Sequence, residues 1–254
     1  MSSGAEPRPV PHHLHERLCS DRHPPRAGGG ASAGCQTGPV TSRDWHEWHR
    51  PYDDPGSSLA RRLVVVQRFV RAAIDRLAPG PLRVISMCGG QGRDLFGALA
   101  DHPRRGDLVG RLVELDERNA EAARLAAATA GMGNVEVRTG DAAVTDAYAG
   151  AVPADLVLAC GIFGNLADED VARTIDHLPQ LCGTGGTVVW TRHRRPPDLT
   201  VDIRRWFAEQ GFEELEFEAP PDTRFGVGAH RLAAAHVPLR TGVRLFAFQE
   251  PDRP

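Results

Sequence analysis

The chain has 254 residues, 41% hydrophobic and 25% charged, a balance that fits one globular domain with accessory segments and excludes disorder of the whole. Every basic residue is arginine, and the formal net charge of −3 argues against a chain-wide footprint for nucleic acid. Cys19, Cys35, Cys88, Cys160 and Cys182 are widely spaced without a CxxC pair, and no apolar run matches a membrane span or signal peptide; a cytoplasmic protein with no structural metal is expected.

In chain order, residues 1–40 are rich in Pro, Gly, Ser, Arg and His and are expected to form a disordered tail, with His12, His13 and His15 as solvated residues. Residues 41–80 are expected to be an N-terminal lid and cap helix. The run from Trp45 to Pro55 gathers Trp45, Trp48 and Tyr52 with His46 and His49 in a Pro-broken stretch. Ser57 or Ser58 then caps a helix over 59–77, whose apolar residues recur at helical spacing until Pro79-Gly80.

From 81 to 254 strands and helices alternate. Strands are expected at 82–87, 110–115, 135–138, 155–160 and 187–191, with helices at 94–100, 119–130, 168–181 and 201–210. Residues 214–218 and 243–248 read as two closing strands, joined by a connection that contains 225–231. This alternation predicts an α/β fold with a doubly wound, mostly parallel sheet.

The sharpest local signal is the strand Val84-Ile85-Ser86-Met87 running into Cys88-Gly89-Gly90-Gln91-Gly92-Arg93-Asp94. Closely spaced glycines between strand and helix let backbone approach a ligand that side chains would block. Some twenty residues on, Glu114 and Asp116 stand at the tip of the next strand, where a carboxylate can accept ribose hydroxyls. Both are candidates; counting back from Ala123-Arg124 favours Glu114, with Leu115 against an adenine face and Asp116 starting a helix. After the third strand, Asp141 can accept from an exocyclic amine, and Ala142 offers a backbone N–H.

These ordered landmarks resemble the class I S-adenosylmethionine-dependent methyltransferases over about residues 59–248. The family's glycine motif aligns on Ser86, Met87 and Cys88-Gly89-Gly90-Gln91-Gly92; Ser86 stands where an acid is usual and Cys88 where the first glycine is usual. The resemblance implies a Rossmann-like seven-stranded sheet, mostly parallel with an antiparallel last strand, helices on both faces and an N-terminal helical cap. It also implies S-adenosyl-L-methionine as cofactor, held by Cys88, Gly89, Gly90, Gly92 and Asp94, by Glu114 and Leu115 at the ribose, by Asp141 and Ala142 at the adenine, and by Cys160 and Gly161 near the sulfonium.

A nicotinamide-dependent Rossmann oxidoreductase is the nearest alternative; it wants Gly or Ala at position 95, where Leu95 stands. An RNA methyltransferase is a second, and would need a basic strip such as Arg192, Arg194, Arg195, Arg204 and Arg205. The end of the expected strand 155–160 lacks the (D/N)-P-P-(Y/F) sequence of family members that act on exocyclic or amide nitrogens of nucleic acids and proteins, so the resemblance implies a small-molecule methyl acceptor rather than nucleic acid; no membrane partner is expected, and a homodimer is compatible with the sequence. Candidate acceptor-side residues are Trp45, Trp48, Tyr52, Phe163, Asn165, Arg192 and His230, and the candidate general bases are His49 and His46.

Overall fold

The apolar alternation read along the chain becomes, in the computed structural model, a seven-stranded sheet of order β3-β2-β1-β4-β5-β7-β6. The structure describes residues 44–249. The tail expected over 1–40, with its histidines and with Cys19 and Cys35, lies outside the described residues. The strands are β1 (Leu82–Met87), β2 (Leu108–Glu114), β3 (Val135–Thr139), β4 (Ala154–Ala159), β5 (Cys182–His193), β6 (Phe212–Glu218) and β7 (Phe225–Leu232), and the helices α1 (Ser58–Asp75), α2 (Leu95–Leu99), α3 (Glu117–Thr129), α4 (Asp168–Leu181) and α5 (Thr200–Glu209). β1 pairs in parallel with β2 and β4, as do β2 with β3 and β4 with β5, whereas β7 runs antiparallel to both β5 and β6.

Each strand sends alternate side chains to opposite faces. Val84, Leu156, Leu158, Val189 and Val227 join the core under α1, α2 and α3. Ile85, Met87, Val157, Val188 and Trp190 join the core under α4 and α5. A parallel sheet covered on both faces favours near-continuous apolar strands, and β1 and β4 are buried at every position but the second, Arg83 and Asp155.

The helix ends follow local chemistry. Ser57 caps α1 by accepting from Ala60 N at 3.0 Å. Val66, Phe69, Val70 and Ile74 form its fully buried stripe, each contributing roughly 2 kcal/mol of gross burial. Asp116 caps α3 by accepting from Arg118 N at 2.9 Å. α3 stops at Gly131 (φ 70°), where Met132 N donates to Ala127 O and Gly131 N to Ala128 O, a paired closure that satisfies the last carbonyls.

One expectation is corrected. Residues 225–231 are not a connection but the antiparallel strand β7, and 243–248 are not a strand of the sheet. The latter segment makes only single bridges, Val144 with Arg244 and Leu166 with Phe248. Glycines are unusual in a strand interior, yet packing demands Gly228. Gly228 lies in register between Trp190 and Phe217, whose rings stack with centroids 5.9 Å apart. A Cβ on Gly228 would come within 2.4 Å of the indole.

Among the described residues no helix is long and apolar enough to cross a membrane. The tightest backbone approach in the parallel core is at Gly110 of β2, which has φ 142° and would place a Cβ 2.0 Å from Val84 O. Gly110→Ala is therefore expected to cost about 2 kcal/mol or more in denaturant unfolding. Gly106→Ala, with no atom within 4 Å, should stay within about 0.5 kcal/mol of the parent. Equal effects at the two positions would refute the steric account.

Candidate functional site

A cavity opens beyond the carboxyl ends of β1, β2 and β4, where ligands bind in open α/β sheets. Its floor is the turn after β1. Gly89 N donates to Val113 O at 3.0 Å, binding the turn to β2, and Gly92 N closes it onto Gly89 O at 2.8 Å. Cys88 takes the left-handed backbone normally left to glycine, with φ 47°. The glycine usual at that position is thus a conformational requirement that Cys88 meets at a cost of about 1 kcal/mol.

Glu114 ties the turn to the next strand tip. Its Oε2 accepts from Gly90 N and its Oε1 from Asp116 N, both at 2.9 Å. Burial pushes the carboxyl above its usual range, and the two backbone donors offset part of that rise. Gly140 N donates to Glu114 O at 2.8 Å, so the tip of β3 is fastened to the same residue. Past it, Asp141 accepts from Ala143 N at 2.8 Å and from Arg244 Nη2 at 3.0 Å, while Ala142 is buried.

The roof is the short helical stretch Glu47–Asp53 with Trp45 just before it. Trp48 meets Trp45, His49 and Tyr52 edge to face, and Phe248 packs on Trp45 with ring centroids 5.2 Å apart. Arg62 of α1 donates to Tyr52 Oη at 2.8 Å, and Arg93 pairs with Asp53 at 2.8 Å, fastening the roof to the sheet. His49 Nδ1 lies 2.7 Å from Trp45 O; a carbonyl only accepts, so Nδ1 carries the hydrogen and Nε2 keeps its lone pair when the ring is neutral. Burial lowers the His49 pKa and favours that neutral form. A Cβ on Gly90 would come within 2.2 Å of His49 Nε2, so the imidazole lies directly over the glycine turn.

The fold brings most of the expected residues to this cavity: Cys88, Gly89, Gly90 and Asp94 from the turn; Glu114, Leu115, Asp141 and Ala142 from the tips of β2 and β3; Cys160 and Gly161 after β4; and Trp45, Trp48, His49 and Tyr52 from the roof. Burial holds the Cys88 and Cys160 thiols well above their usual pKa, so both stay protonated.

Four expected site residues lie elsewhere. Gly92 faces Phe96, within 2.3 Å of a notional Cβ, and shapes the turn rather than lining the cavity. His46 turns away to Asn119, its Nδ1 3.1 Å from Oδ1. Phe163 is fully buried in the core beside Trp190. His230 is also core: it stacks on Phe207 and accepts a hydrogen bond from Trp190 Nε1 at 3.1 Å. Burial lowers its pKa to about 4, and its location in the core removes it from the acceptor side.

Asn165 and Arg192 line a second cavity that shares Trp48, Arg62 and Gly161 with the first. Asn165 Nδ2 donates to Gly161 O at 2.9 Å. Arg192 is buried and donates to Phe163 O and Asp168. Sequence reasoning missed Arg62, Arg93, Phe248 and Arg224 as cavity residues. Arg62 left one signal: it falls beside Leu59, Leu63 and Val66 at helical spacing, a cation on an otherwise apolar stripe.

Burial raises the Asp94 carboxyl from 3.8 to about 6, although its side chain caps α2 by accepting from Leu95 N. Asp94 therefore holds its proton more tightly folded than unfolded. Its contribution to stability is complete below about pH 4 and is lost as pH rises through about 6. Asp94→Asn keeps a capping oxygen without the charge, so its stability relative to the parent should improve between pH 4 and pH 7. Urea unfolding of the ligand-free chain at both pH values checks this; a difference that stays constant would refute it.

No protein-family model matches the chain, and no curated protein matches it. Solved structures do. An O-methyltransferase family protein from Burkholderia thailandensis superposes with TM-score 0.53 at 20% identity, over 69% of this chain and 56% of that one. The CurJ carbon methyltransferase superposes with TM-score 0.57 at 15% identity, over 76% of this chain and 62% of that one. The chain thus spans less than two thirds of the length of either. Magnesium protoporphyrin IX methyltransferase (ChlM) from Synechocystis PCC 6803, with bound SAM, gives TM-score 0.55 at 15% identity over 72% of this chain and 88% of that one. With strand order 3-2-1-4-5-7-6 and one antiparallel strand, β7, the chain has the fold of the class I S-adenosylmethionine-dependent methyltransferases.

Proposed function

We propose that the chain is an S-adenosylmethionine-dependent methyltransferase acting on a small molecule. The observation that carries this reading is Glu114 at the tip of β2, its carboxylate bound to the glycine turn through Gly90 N and facing the same cavity as Asp141. A carboxylate has about four acceptor positions; two take backbone N–H groups, and two are left for the vicinal hydroxyls of a ribose. Asp141 and the backbone of Ala142 suit the amine and ring nitrogens of adenine, and the exposed Leu115 suits its face. The donor set therefore fits the cofactor.

When bound, S-adenosylmethionine supplies a methyl group on a sulfonium, open to in-line displacement. The protein's work is to align the nucleophile, exclude water and, for an acceptor that must lose a proton, accept it. Trp45, Trp48 and Tyr52 act as a lid in this reading. His49 is the base: its Nε2 lone pair faces the turn and its Nδ1–H is held by Trp45 O. His46, bound to Asn119 outside the cavity, is not assigned a role.

The RNA alternative loses support from charge pairing. Arg194 pairs with Asp198, Arg204 with Glu214, and Arg205 with Asp202 and Glu209, which breaks up the strip it requires. Glu114 and Asp141 are also features that a nicotinamide oxidoreductase shares in part, so titration with each cofactor separates the two. Saturable binding of S-adenosylmethionine without binding of NAD(P)H is the expected result, and the reverse would overturn the proposal.

Glu114→Ala should weaken S-adenosylmethionine binding at least about tenfold in calorimetry. Unchanged affinity in a folded variant would remove the ribose assignment. Should that variant unfold, Asp141→Ala reads the adenine side of the same site, with several-fold weakening expected. His49→Gln should lower turnover while leaving cofactor affinity within about twofold. In the parent, the acid limb of kcat/KM should fall below pH 6.5, because burial depresses the imidazole pKa and keeps the base free in mildly acidic solution. An acid limb unchanged in His49→Gln would exclude this base.

A further inference from the structure

The second cavity is strongly cationic. It opens at the ends of β4 and β5, and its charged lining consists of Arg62, Arg192, Arg195 and Arg224, with no aspartate or glutamate among the residues that wall it. Acids of the flanking segments are already ion-paired, one of them to a lining arginine. Asp198 pairs with Arg194 at 2.8 Å, and Asp222 with Arg61 at 3.4 Å. Asp168 reaches only the buried Arg192, at 3.4 Å.

Among the described residues, neither Arg195 nor Arg224 has a carboxylate within ion-pair distance, and both are exposed. Arg62 spends one donor on the Tyr52 hydroxyl and interacts with the Asp94 carboxyl of the first cavity, which leaves Arg195 and Arg224 as the cations without counter-charge. Arg192 is 7% exposed, and its Nε has no hydrogen-bond partner among the described residues. The remaining titratable group, His193, is held in its neutral form by burial and by the adjacent Arg192 and Arg195. Arginines gathered without counter-charge repel one another, and guanidinium groups are suited to planar, two-point recognition of carboxylate and phosphate. A walled concavity of one sign also concentrates ligands of the other.

The position of this charge matters. Trp48, Arg62 and Gly161 belong to both cavities, so a molecule held by Arg195 and Arg224 lies against the opening to the cavity assigned to the methyl donor. Trp48 and Phe225 add aromatic surface to the same walls. We infer that the second cavity is the acceptor subsite and that the acceptor is a small anion, bearing a carboxylate or phosphate that Arg195 and Arg224 hold. The inference rests on the methyltransferase reading for the word acceptor; anion binding itself does not.

The experiment uses the full chain and three probes on one skeleton: 4-hydroxybenzoate, 4-hydroxyphenyl phosphate and the neutral 4-hydroxybenzamide. Each is titrated by calorimetry with and without saturating S-adenosylhomocysteine, against the parent and the double variant Arg195→Gln, Arg224→Gln. At least one anionic probe should bind about tenfold or more tightly than the amide, and that preference should collapse in the double variant while S-adenosylhomocysteine affinity stays unchanged. The carboxylate and phosphate arms decide which anion is preferred. Equal binding of neutral and anionic probes, no binding of either anion at millimolar concentration, or a preference that survives the double substitution would each overturn the inference. So would tighter binding of a short RNA than of either small anion. Failure to bind S-adenosylhomocysteine, with anion preference intact, would overturn the methyltransferase reading instead.

Discussion

The Glu114 carboxylate is the constraint on which the site depends. It is 7% exposed, and both its oxygens accept backbone N–H groups, one from the glycine turn and one from the start of α3. A buried carboxylate without such donors would give up its charge. With them it stays an acceptor, and it fixes the turn after β1 against the tip of β2. The Gly89–Val113 and Gly140–Glu114 backbone bonds extend that fastening to three adjacent strand ends. The cavity floor is therefore preset by the sheet, and only the roof is left to side chains of the N-terminal segment.

That division explains what could be read from the sequence. Strand and helix alternation through β5 was legible because buried strands and amphipathic helices leave different apolar periods. Glu114 and Asp141 were legible because they arrive in order at successive strand tips. β7 was not, since its face toward Trp190 and Phe217 carries glycine where a strand normally carries a side chain. The signal lay in Trp190 on the neighbouring strand, a residue whose bulk must be accommodated across the register. With β7 misread as a connection, the histidine within it looked available for chemistry, whereas its ring is part of the stack.

The glycine turn shows the opposite case, a departure in sequence that leaves the geometry intact. Cys88 takes the left-handed backbone that glycine supplies freely, and Gly90 and Gly92 retain their positive φ. The motif consequently looks weaker in letters than in space. Ser86 is less readily rationalised: its buried hydroxyl has no hydrogen-bond partner among the described residues.

Arginine distribution separates scaffold from proposed function. Surface arginines of α3, α5 and β7 pair with neighbouring acids, as Arg124 does with Glu117 and Glu121, and such exposed pairs are worth little individually. Arg104 is used structurally, donating to four backbone carbonyls of residues 74, 77, 78 and 80 in the last turn of α1 and just past it. Of the arginines without an ion-pair partner among the described residues, Arg195 and Arg224 share the wall of one cavity whose lining holds no acid. In a chain with net charge −3, acids were plentiful enough to neutralise them. Cations left uncompensated on the wall of a concavity, beside a preset floor, are what a site needs when its counter-charge arrives with the ligand.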